Sequence, residues 1–243
     1  MPSSMLSSLL SSLLSSLPSF ISAQIAALEP FFHDVLGGAL ITIAASAVAF
    51  AIGIVFGSVL LVARLLGGRV LAWLVVGYVS VIRGTPALIQ MLVAYYVLPA
   101  VLNLPLSPLE AGILALAMNT GAYVSEILRG AFNSLSGGQL PAARALGMRA
   151  AQAWRYIVFP QLFYRSIPPL TNEFTMLLKA SSLMSIIAVH DLATVARDAT
   201  LQTNLPLQVF SAAAVVYFAI LFAASSASRG LERRVAKVLP NVH

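Results

Sequence analysis

The run from Ala39 to Val62 contains no ionisable residue, and it is long enough to cross a lipid bilayer as a helix. Two further uncharged runs cover residues 84–109 and 199–228. Only 9% of the residues are charged and 59% are hydrophobic, whereas a soluble domain carries about 25% charged residues. So few charges cannot cover a water-exposed surface. The sequence therefore predicts an all-α integral membrane protein.

We expect about five membrane-spanning helices. The apolar runs place them near Ala39–Val62, Pro86–Leu102, Glu110–Leu128, Ser166–Val189 and Leu207–Ser228. A shorter helix, Val70–Ile82, leads into the second span. Pro86 is expected to bend the chain there, because proline lacks a backbone donor and disfavours helical angles at the preceding residue, Thr85.

The basic residues indicate the orientation. Twelve of the 14 Lys and Arg residues lie around the first predicted loop, around the central loop or in the C-terminal tail. By the positive-inside rule these segments are cytoplasmic, so the C-terminus is cytoplasmic and the N-terminus external. We divide the chain into an external Ser/Leu-rich segment (1–36), a membrane domain (37–230) and a cytoplasmic tail (231–243).

The Ser/Leu-rich segment has leucines at helical spacing, which is typical either of an interfacial helix or of a poorly ordered tail. It lacks the basic start of a signal peptide, so we do not expect it to be cleaved.

Several chemistries are excluded or disfavoured by composition. The chain has no cysteine, which excludes disulfides and zinc–thiolate sites. His33 and His190 are isolated from other ligand types, so we expect no metal site. The chain has no G-x-x-x-x-G-K-[ST] phosphate loop, so we do not expect it to hydrolyse ATP. We interpret the net charge of +6 as loop charge rather than as a sign of nucleic-acid binding.

The central loop, "GGQLPAARALGMRAAQAWRYIVFPQ" (137–161), has its own pattern. Pro141 suits the first turn of a helix and Gly147 suits its C-terminal end, so the pattern predicts a short helix closed by a glycine turn. Aromatic residues and Pro160 then predict an amphipathic return into the membrane. A basic cytoplasmic loop can be a mere connection, but this order indicates a segment that a partner protein holds.

The same residues resemble the EAA loop of ABC importer permeases, in which E-A-A is followed by G and by an apolar stretch that ends in P. "NTGAYVSEILRGAFNSLSGGQ", "VIRGTPALIQMLVAYYVLP" and "PPLTNEFTMLLKASSLMSIIAVHDL" resemble other regions of the polar amino acid permeases. The resemblance covers roughly residues 40–235. Two positions depart from it, since Pro141 stands where the family has its glutamate and Ala180 where it has a small polar or acidic residue.

The resemblance implies a small, MetI-like permease with a cytoplasmic coupling helix. Such a subunit moves a polar amino acid or related small solute by alternating access in the inner membrane. The implied partners are two copies of an ATPase subunit that binds ATP and Mg, a second permease copy or paralogue, an extracytoplasmic solute-binding protein and membrane lipid, with no nucleic acid. The permease itself is not an enzyme and holds no cofactor. The residues implied to dock on the ATPase are Gly138, Gln139, Pro141, Ala142, Ala143, Arg144, Ala145, Leu146, Gly147, Met148 and Pro160.

Polar groups inside the spans are candidates for the solute path, because they are costly to insert into lipid. On the third span the candidates share one helical face: Asn119, Tyr123 and Glu126. On the fourth span they are Asn172, Glu173, Lys179, Ser181, Ser182 and Ser185. A carboxylate here would meet the ammonium of an amino acid, and Lys179 or a serine its carboxylate. Alternatively, Glu126 pairs with Arg129 to fix helix packing, and Lys179 snorkels or pairs with Asp191.

Two other functions are compatible with an apolar chain. An ion-coupled secondary transporter would show inverted repeats, which five spans do not form. A membrane enzyme or assembly factor would need a cluster of acids, bases or metal ligands, and the eight acidic residues are scattered. The solute, and the choice between pairing with itself and with a paralogue, stay open at this stage.

Overall fold

The computed structural model describes residues 15–23, 26, 29–103, 105–135 and 137–238, with only the backbone for residues 235–238. The leucine repeat of residues 6–14 lies outside the described residues, and residues 15–23 are helical and exposed. The chain clusters into two compact units, Met1–Thr42 with His190–Ile220, and Ile43–Val189 with Leu221–His243. We describe each unit by itself.

From Glu29 onward the described chain is a series of helices. A 3₁₀ turn, Glu29–Phe31, precedes the first. The helices are α1 (Phe32–Leu66), α2 (Gly68–Gly84), α3 (Ala87–Leu102), α4 (Pro108–Asn133), α5 (Gln139–Ala145), α6 (Ala150–Ile187), α7 (Leu192–Thr203) and α8 (Pro206–Val238). Helix α3 contains a π-helical segment, Val93–Val97, and α6 contains another, Trp154–Val158, and ends in a 3₁₀ segment, Ser181–Ile187.

Length and composition are compatible with the predicted number of membrane spans. Three helices in the described part of the chain can each cross a membrane, and the pairs α2–α3 and α6–α7 raise the number to five if each pair is one span. The all-α membrane fold is therefore confirmed. Helix α6 starts well before the predicted Ser166, because the helix that leaves the central loop continues into the membrane without interruption.

The predicted bend at Pro86 is present. Helix α2 ends at Gly84, Thr85 has extended backbone angles (φ −114°, ψ 146°), and α3 starts after Pro86 at an angle of 108° to α2. The broken turn leaves carbonyl groups without helical partners. The Gln90 side chain donates to two of them, the carbonyl oxygens of Ile82 (2.6 Å) and Thr85 (3.0 Å). Gln90 therefore stabilises the bend, because unpaired backbone groups are costly in lipid.

In the second unit, α1 approaches α4 closely at two glycines of α1. A Cβ atom on Gly57 would lie 2.7 Å from the Gly121 carbonyl oxygen, and one on Gly53 would lie 2.7 Å from Thr120 Cγ2. Gly53 and Gly57 are four residues apart, so they form a G-x-x-x-G face on α1. Such a face lets two helix backbones approach closely, and we call this contact the α1–α4 seam.

The first unit has a small core of its own, made by Ala196, Ala199, Val209 and Ala213 with Phe31 packed against it. Helix α7 was not among the predicted elements. Asp191 caps its N-terminus by accepting a hydrogen bond from the Thr194 N–H (2.9 Å), and Asn204 ends it in a left-handed conformation (φ 57°). These two capping residues were a readable signal for the helix.

Candidate functional site

The central loop folds as its residues predict. Helix α5 has Pro141 in its first turn and ends in a glycine turn, with Gly147 at φ 75°. The Gly147 N–H donates to the Arg144 carbonyl (2.9 Å), and the Met148 N–H donates to the Ala143 carbonyl (3.0 Å). This pair of bonds is a Schellman motif, which satisfies the last carbonyls of a helix when glycine adopts left-handed angles. The predicted helix and its glycine end are confirmed.

Helix α5 is fastened to the rest of the second unit on one side. Gln139 and Gln161 exchange two side-chain hydrogen bonds of 3.0 and 2.9 Å, and Ala143 is only 1% exposed. At the end of α4, Phe132 stacks on Trp154 with a centroid distance of 5.6 Å and an interplanar angle of 7°. The Gln139–Gln161 pair and the burial of Ala143 hold the short helix in one orientation, and the Phe132–Trp154 stack joins α4 to α6 beside it.

The opposite side of the loop is uncovered. Leu146 is 82% exposed, although it is a large apolar residue, and the side chains around it are also exposed: Pro141, Ala142, Arg144 and Ala145. Within the described chain Arg144 forms no ion pair. The loop thus presents a rigid helical tip with an apolar end and a free positive charge. We call residues 141–147 the loop tip; all of them except Ala143 are exposed.

Pro160, which the sequence grouped with the docking residues, lies inside α6 on an exposed face. It follows the π-helical segment Trp154–Val158, where the Phe159 N–H donates to the Trp154 carbonyl. Proline cannot donate to a preceding carbonyl, and the wider π turn accommodates that loss without ending the helix. Pro160 therefore shapes the start of α6, beyond the loop tip.

The candidates on the third span all have partners in the second unit. Asn119 donates to the Gln90 side chain (2.9 Å), and the Arg83 guanidinium lies 5.1 Å from the centre of the Tyr123 ring. Glu126 is the most heavily engaged. Its carboxylate accepts from Arg64 (2.6 Å) and Arg129 (2.5 Å), with the Arg83 guanidinium 3.8 Å away. The alternative pairing of Glu126 with Arg129 is thus present.

We call Glu126 and its three arginines the Glu126 cluster. It joins α1, α2 and α4, and the Glu126 side chain is 17% exposed. The sequence treated Arg64 and Arg83 as loop charges, and it missed Gln90 as a partner of Asn119. No local pattern pairs residues that lie so far apart along the chain. Gln90 alone carried a hint, since it is a polar residue in an uncharged run just after Pro86.

The candidates on the fourth span are arranged differently. Asn172 and Lys179 are exposed, Glu173, Ser182 and Ser185 are half-buried, and Ser181 is buried. The Ser181 and Ser182 hydroxyls donate to the carbonyls of Leu178 (2.9 Å) and Lys179 (2.8 Å). Asp191, the proposed alternative partner of Lys179, is buried at the start of α7. Asn172 and Lys179 therefore place polar groups on the exposed surface of α6. The path through these residues stays a prediction.

No group of three or more His, Asp and Glu side chains that could hold a metal ion occurs in the described ranges. The second unit combines closely packed spans, a polar surface on α6 and a short helix that is held on one side and exposed on the other. This combination defines a membrane-spanning subunit that acts with other proteins.

Comparison with known proteins gives the family. Residues 53–237 match the family described as "Binding-protein-dependent transport system inner membrane component". The L-cystine transport system permease protein TcyB of Bacillus subtilis (strain 168) is 35% identical over 209 residues, which are 85% of this chain and 88% of that protein. The glutamine transport system permease protein GlnP of Escherichia coli (strain K12) is 33% identical over 211 residues, 86% and 96% of the two chains.

A solved structure agrees. One chain of "Crystal structure of an amino acid ABC transporter with histidines" has a TM-score of 0.80 and 31% identity, and the match covers 86% of this chain and 97% of that one. The chain therefore belongs to the family of binding-protein-dependent transport system inner membrane components, as its motifs predict. It is the permease subunit of an ABC importer and not an enzyme.

Proposed function

We propose that this permease moves a polar amino acid or a related small solute into the cell, and that the loop tip is the point at which a separate ATPase drives it. The observation that carries the proposal is the loop tip itself. It is a short helix held on one side and closed by a Schellman turn, with Leu146 82% exposed. A large apolar side chain that is exposed on an ordered helix is typical of an interface, where it fills a pocket on the partner protein.

The partners follow from this role. Two copies of an ATPase subunit bind ATP and Mg, and each docks on one permease. A second permease, identical or a paralogue, completes the path, and an extracytoplasmic binding protein delivers the solute. The docking residues are those of residues 138–148 that the sequence indicated. Pro141 is exposed at the position of the family's glutamate, so Arg144 supplies the charged contact.

The proposed orientation has the N-terminus outside and the C-terminus in the cytoplasm. The concentration of Lys and Arg in the central loop and the tail supports it. The proposed division into residues 1–36, 37–230 and 231–243 rests on the same argument.

The solute class is supported by relatives whose names specify cystine, glutamine, arginine and nopaline, which are amino acids or a related compound. In this chain the exposed polar residues of α6, Asn172 and Lys179, are the best candidates for the path. Glu126 is a weaker candidate, because three arginines already surround its carboxylate.

A matched pair of glycine substitutions tests the docking role. Gly137 and Gly147 both have open space around the position of a Cβ atom, but only Gly147 has a positive φ, of 75°. Valine at residue 147 must therefore distort the turn, at about 1–2 kcal/mol, while valine at residue 137 meets no such strain. We expect Gly147→Val to insert normally and to lose co-purification with the ATPase subunit of its own transport system.

Gly137→Val should retain that co-purification. Solute uptake into vesicles that contain the full transporter should follow the same order. If Gly147→Val binds the ATPase and transports as the unaltered chain does, the loop tip is not the docking site. If uptake proceeds without any ATPase subunit and collapses with an uncoupler, the chain is an ion-coupled transporter instead.

A further inference from the structure

A large apolar groove opens in the second unit between α1, α6 and α8. Its volume is about 510 Å³, and its walls include Phe50, Phe174, Ile167, Leu170 and Leu231. The rings of Phe50 and Phe174 are 5.0 Å apart and form part of one wall. The residues that line the groove belong neither to the loop tip nor to the exposed polar residues of α6, Asn172 and Lys179. A groove of this volume accepts a ligand rather than a few waters.

One end of the groove is basic. Arg234 lines it, together with Ser228, and Arg233 precedes Arg234 on the same turn of α8. Arg234 is exposed and forms no ion pair within the described ranges. It lies just after the uncharged run of residues 199–228, in the part of the helix where a membrane span meets the head-group layer.

Two other charged groups near this end, Glu232 and Arg229, are already engaged. The Glu232 carboxylate accepts a hydrogen bond from the Thr171 hydroxyl (2.7 Å), which joins α8 to α6 beside the groove. Arg229 folds back along its own helix, where it donates to Ser226 (2.8 Å) and lies over the Phe222 ring. Arg233 is exposed as well, but among the described residues Arg234 is the cation that lines the groove, so it is the one that the groove presents to a ligand.

The ligand that matches both features has an apolar tail and an anionic head. We propose that this groove binds one anionic phospholipid, with an acyl chain between α1, α6 and α8 and its phosphate at Arg234. Basic pockets between membrane helices on the cytoplasmic side attract anionic head groups. The placement in the cytoplasmic leaflet rests on the proposed orientation, whereas the site itself does not.

Photo-crosslinking of the full-length chain tests this site. The purified chain is reconstituted into phosphatidylcholine vesicles that contain a small fraction of either phosphatidylglycerol or phosphatidylcholine with a photoactivatable acyl chain. We expect phosphatidylglycerol to label the segment 163–174 several-fold more than phosphatidylcholine does. Arg234→Ala should reduce that labelling to the phosphatidylcholine level, and Arg234→Lys should preserve it because the charge is kept.

Two further variants serve as controls. Arg69→Ala removes an exposed arginine elsewhere in the second unit, so it should leave the labelling unchanged. Leu170→Trp fills the groove, so it should reduce labelling by both lipids without changing insertion or elution as a single species. Because no nucleotide or solute is present, the result does not depend on the transport function.

Equal labelling by the two lipids, unaffected by Arg234→Ala, would reduce the site to ordinary lipid contact and overturn the proposal. Crosslinks from residues 163–174 to a second copy of the chain, in place of lipid, would identify the groove as a subunit interface and also overturn it.

Discussion

The Glu126 cluster and the loop tip both contain arginine in a chain with few charges, but they use it in opposite ways. In the cluster, Arg64, Arg83 and Arg129 surround one carboxylate that is 17% exposed. At the loop tip, Arg144 lies beside Leu146 in solvent and has no ion-pair partner in the described chain. The cluster therefore stabilises this subunit, whereas the tip is available to another one.

This difference predicts two kinds of mutational effect. Changes in the cluster and the α1–α4 seam should lower stability and, with it, every function of the chain. Changes to the exposed side chains of the loop tip should leave stability intact and weaken only the binding of the partner. The following substitutions test this division, from the largest expected effect on stability to the smallest.

Glu126→Gln should have the largest effect. It leaves three arginines around a neutral amide between α1, α2 and α4. Because these groups are only partly buried, the loss of their shared carboxylate should cost about 2–3 kcal/mol, below the upper range for a fully buried pair. The free energy of unfolding of the detergent-purified chain measures this loss. The control is Glu110→Gln, which makes the same change in an exposed carboxylate. Glutamine can keep the hydrogen bond from the Ser107 N–H, so this variant should change stability little.

A transport defect in Glu126→Gln with unchanged stability would contradict this role and return Glu126 to the solute path. The sequence made Glu126 a candidate for that path because most of its ion-pair partners could not be recognised from the sequence. A carboxylate in an apolar helix is visible in the sequence, but the two arginines that meet it from α1 and α2 are 62 and 43 positions away.

Gly57→Leu should lower stability by about 2 kcal/mol or more, because even a Cβ atom would lie 2.7 Å from the Gly121 carbonyl oxygen and 2.7 Å from Val124. The helices of the seam must separate to admit a leucine. Gly77→Leu is the matched control, since nothing lies within 4 Å of the corresponding Cβ position on α2. Thermal unfolding of both variants compares them, and equal losses would show that the seam is not closely packed.

What could be predicted from the sequence was local. Uncharged runs predict spans because lipid excludes charge, Pro86 predicts a bend through its own ring, and Gly147 predicts a helix end because it tolerates left-handed angles. What could not be predicted was tertiary. The bond of Gln90 with Asn119, the arginines at Glu126 and the meeting of Gly57 with Gly121 each join distant positions. The spacing of Gly53 and Gly57 was a readable hint of a close helix contact, although it did not identify the partner helix.

Gln139→Leu tests the attachment of α5 to α6 and should have a smaller effect. It removes the exchange of two hydrogen bonds with Gln161, which is worth about 1 kcal/mol. The loss should be local, so hydrogen exchange in residues 139–147 should rise while global unfolding changes little. Gln161→Leu, and the double variant in a mutant cycle, measure the pair. Additive effects of the two single changes would show that the pair does not hold α5.

Leu146→Asp should have the smallest effect on stability, below about 0.5 kcal/mol, because an 82% exposed side chain loses little packing when it is replaced. Its effect on the ATPase should nevertheless be large. A charge at the apolar end of the loop tip would have to be buried in the partner's pocket, so we expect at least about tenfold weaker binding. Leu66→Asp is the matched control, since Leu66 is 80% exposed at the end of α1. Titration of the ATPase against each purified variant compares their affinities. If Leu146→Asp is stable and binds the ATPase as tightly as the unaltered chain does, the loop tip and the Glu126 cluster do not differ in the proposed way.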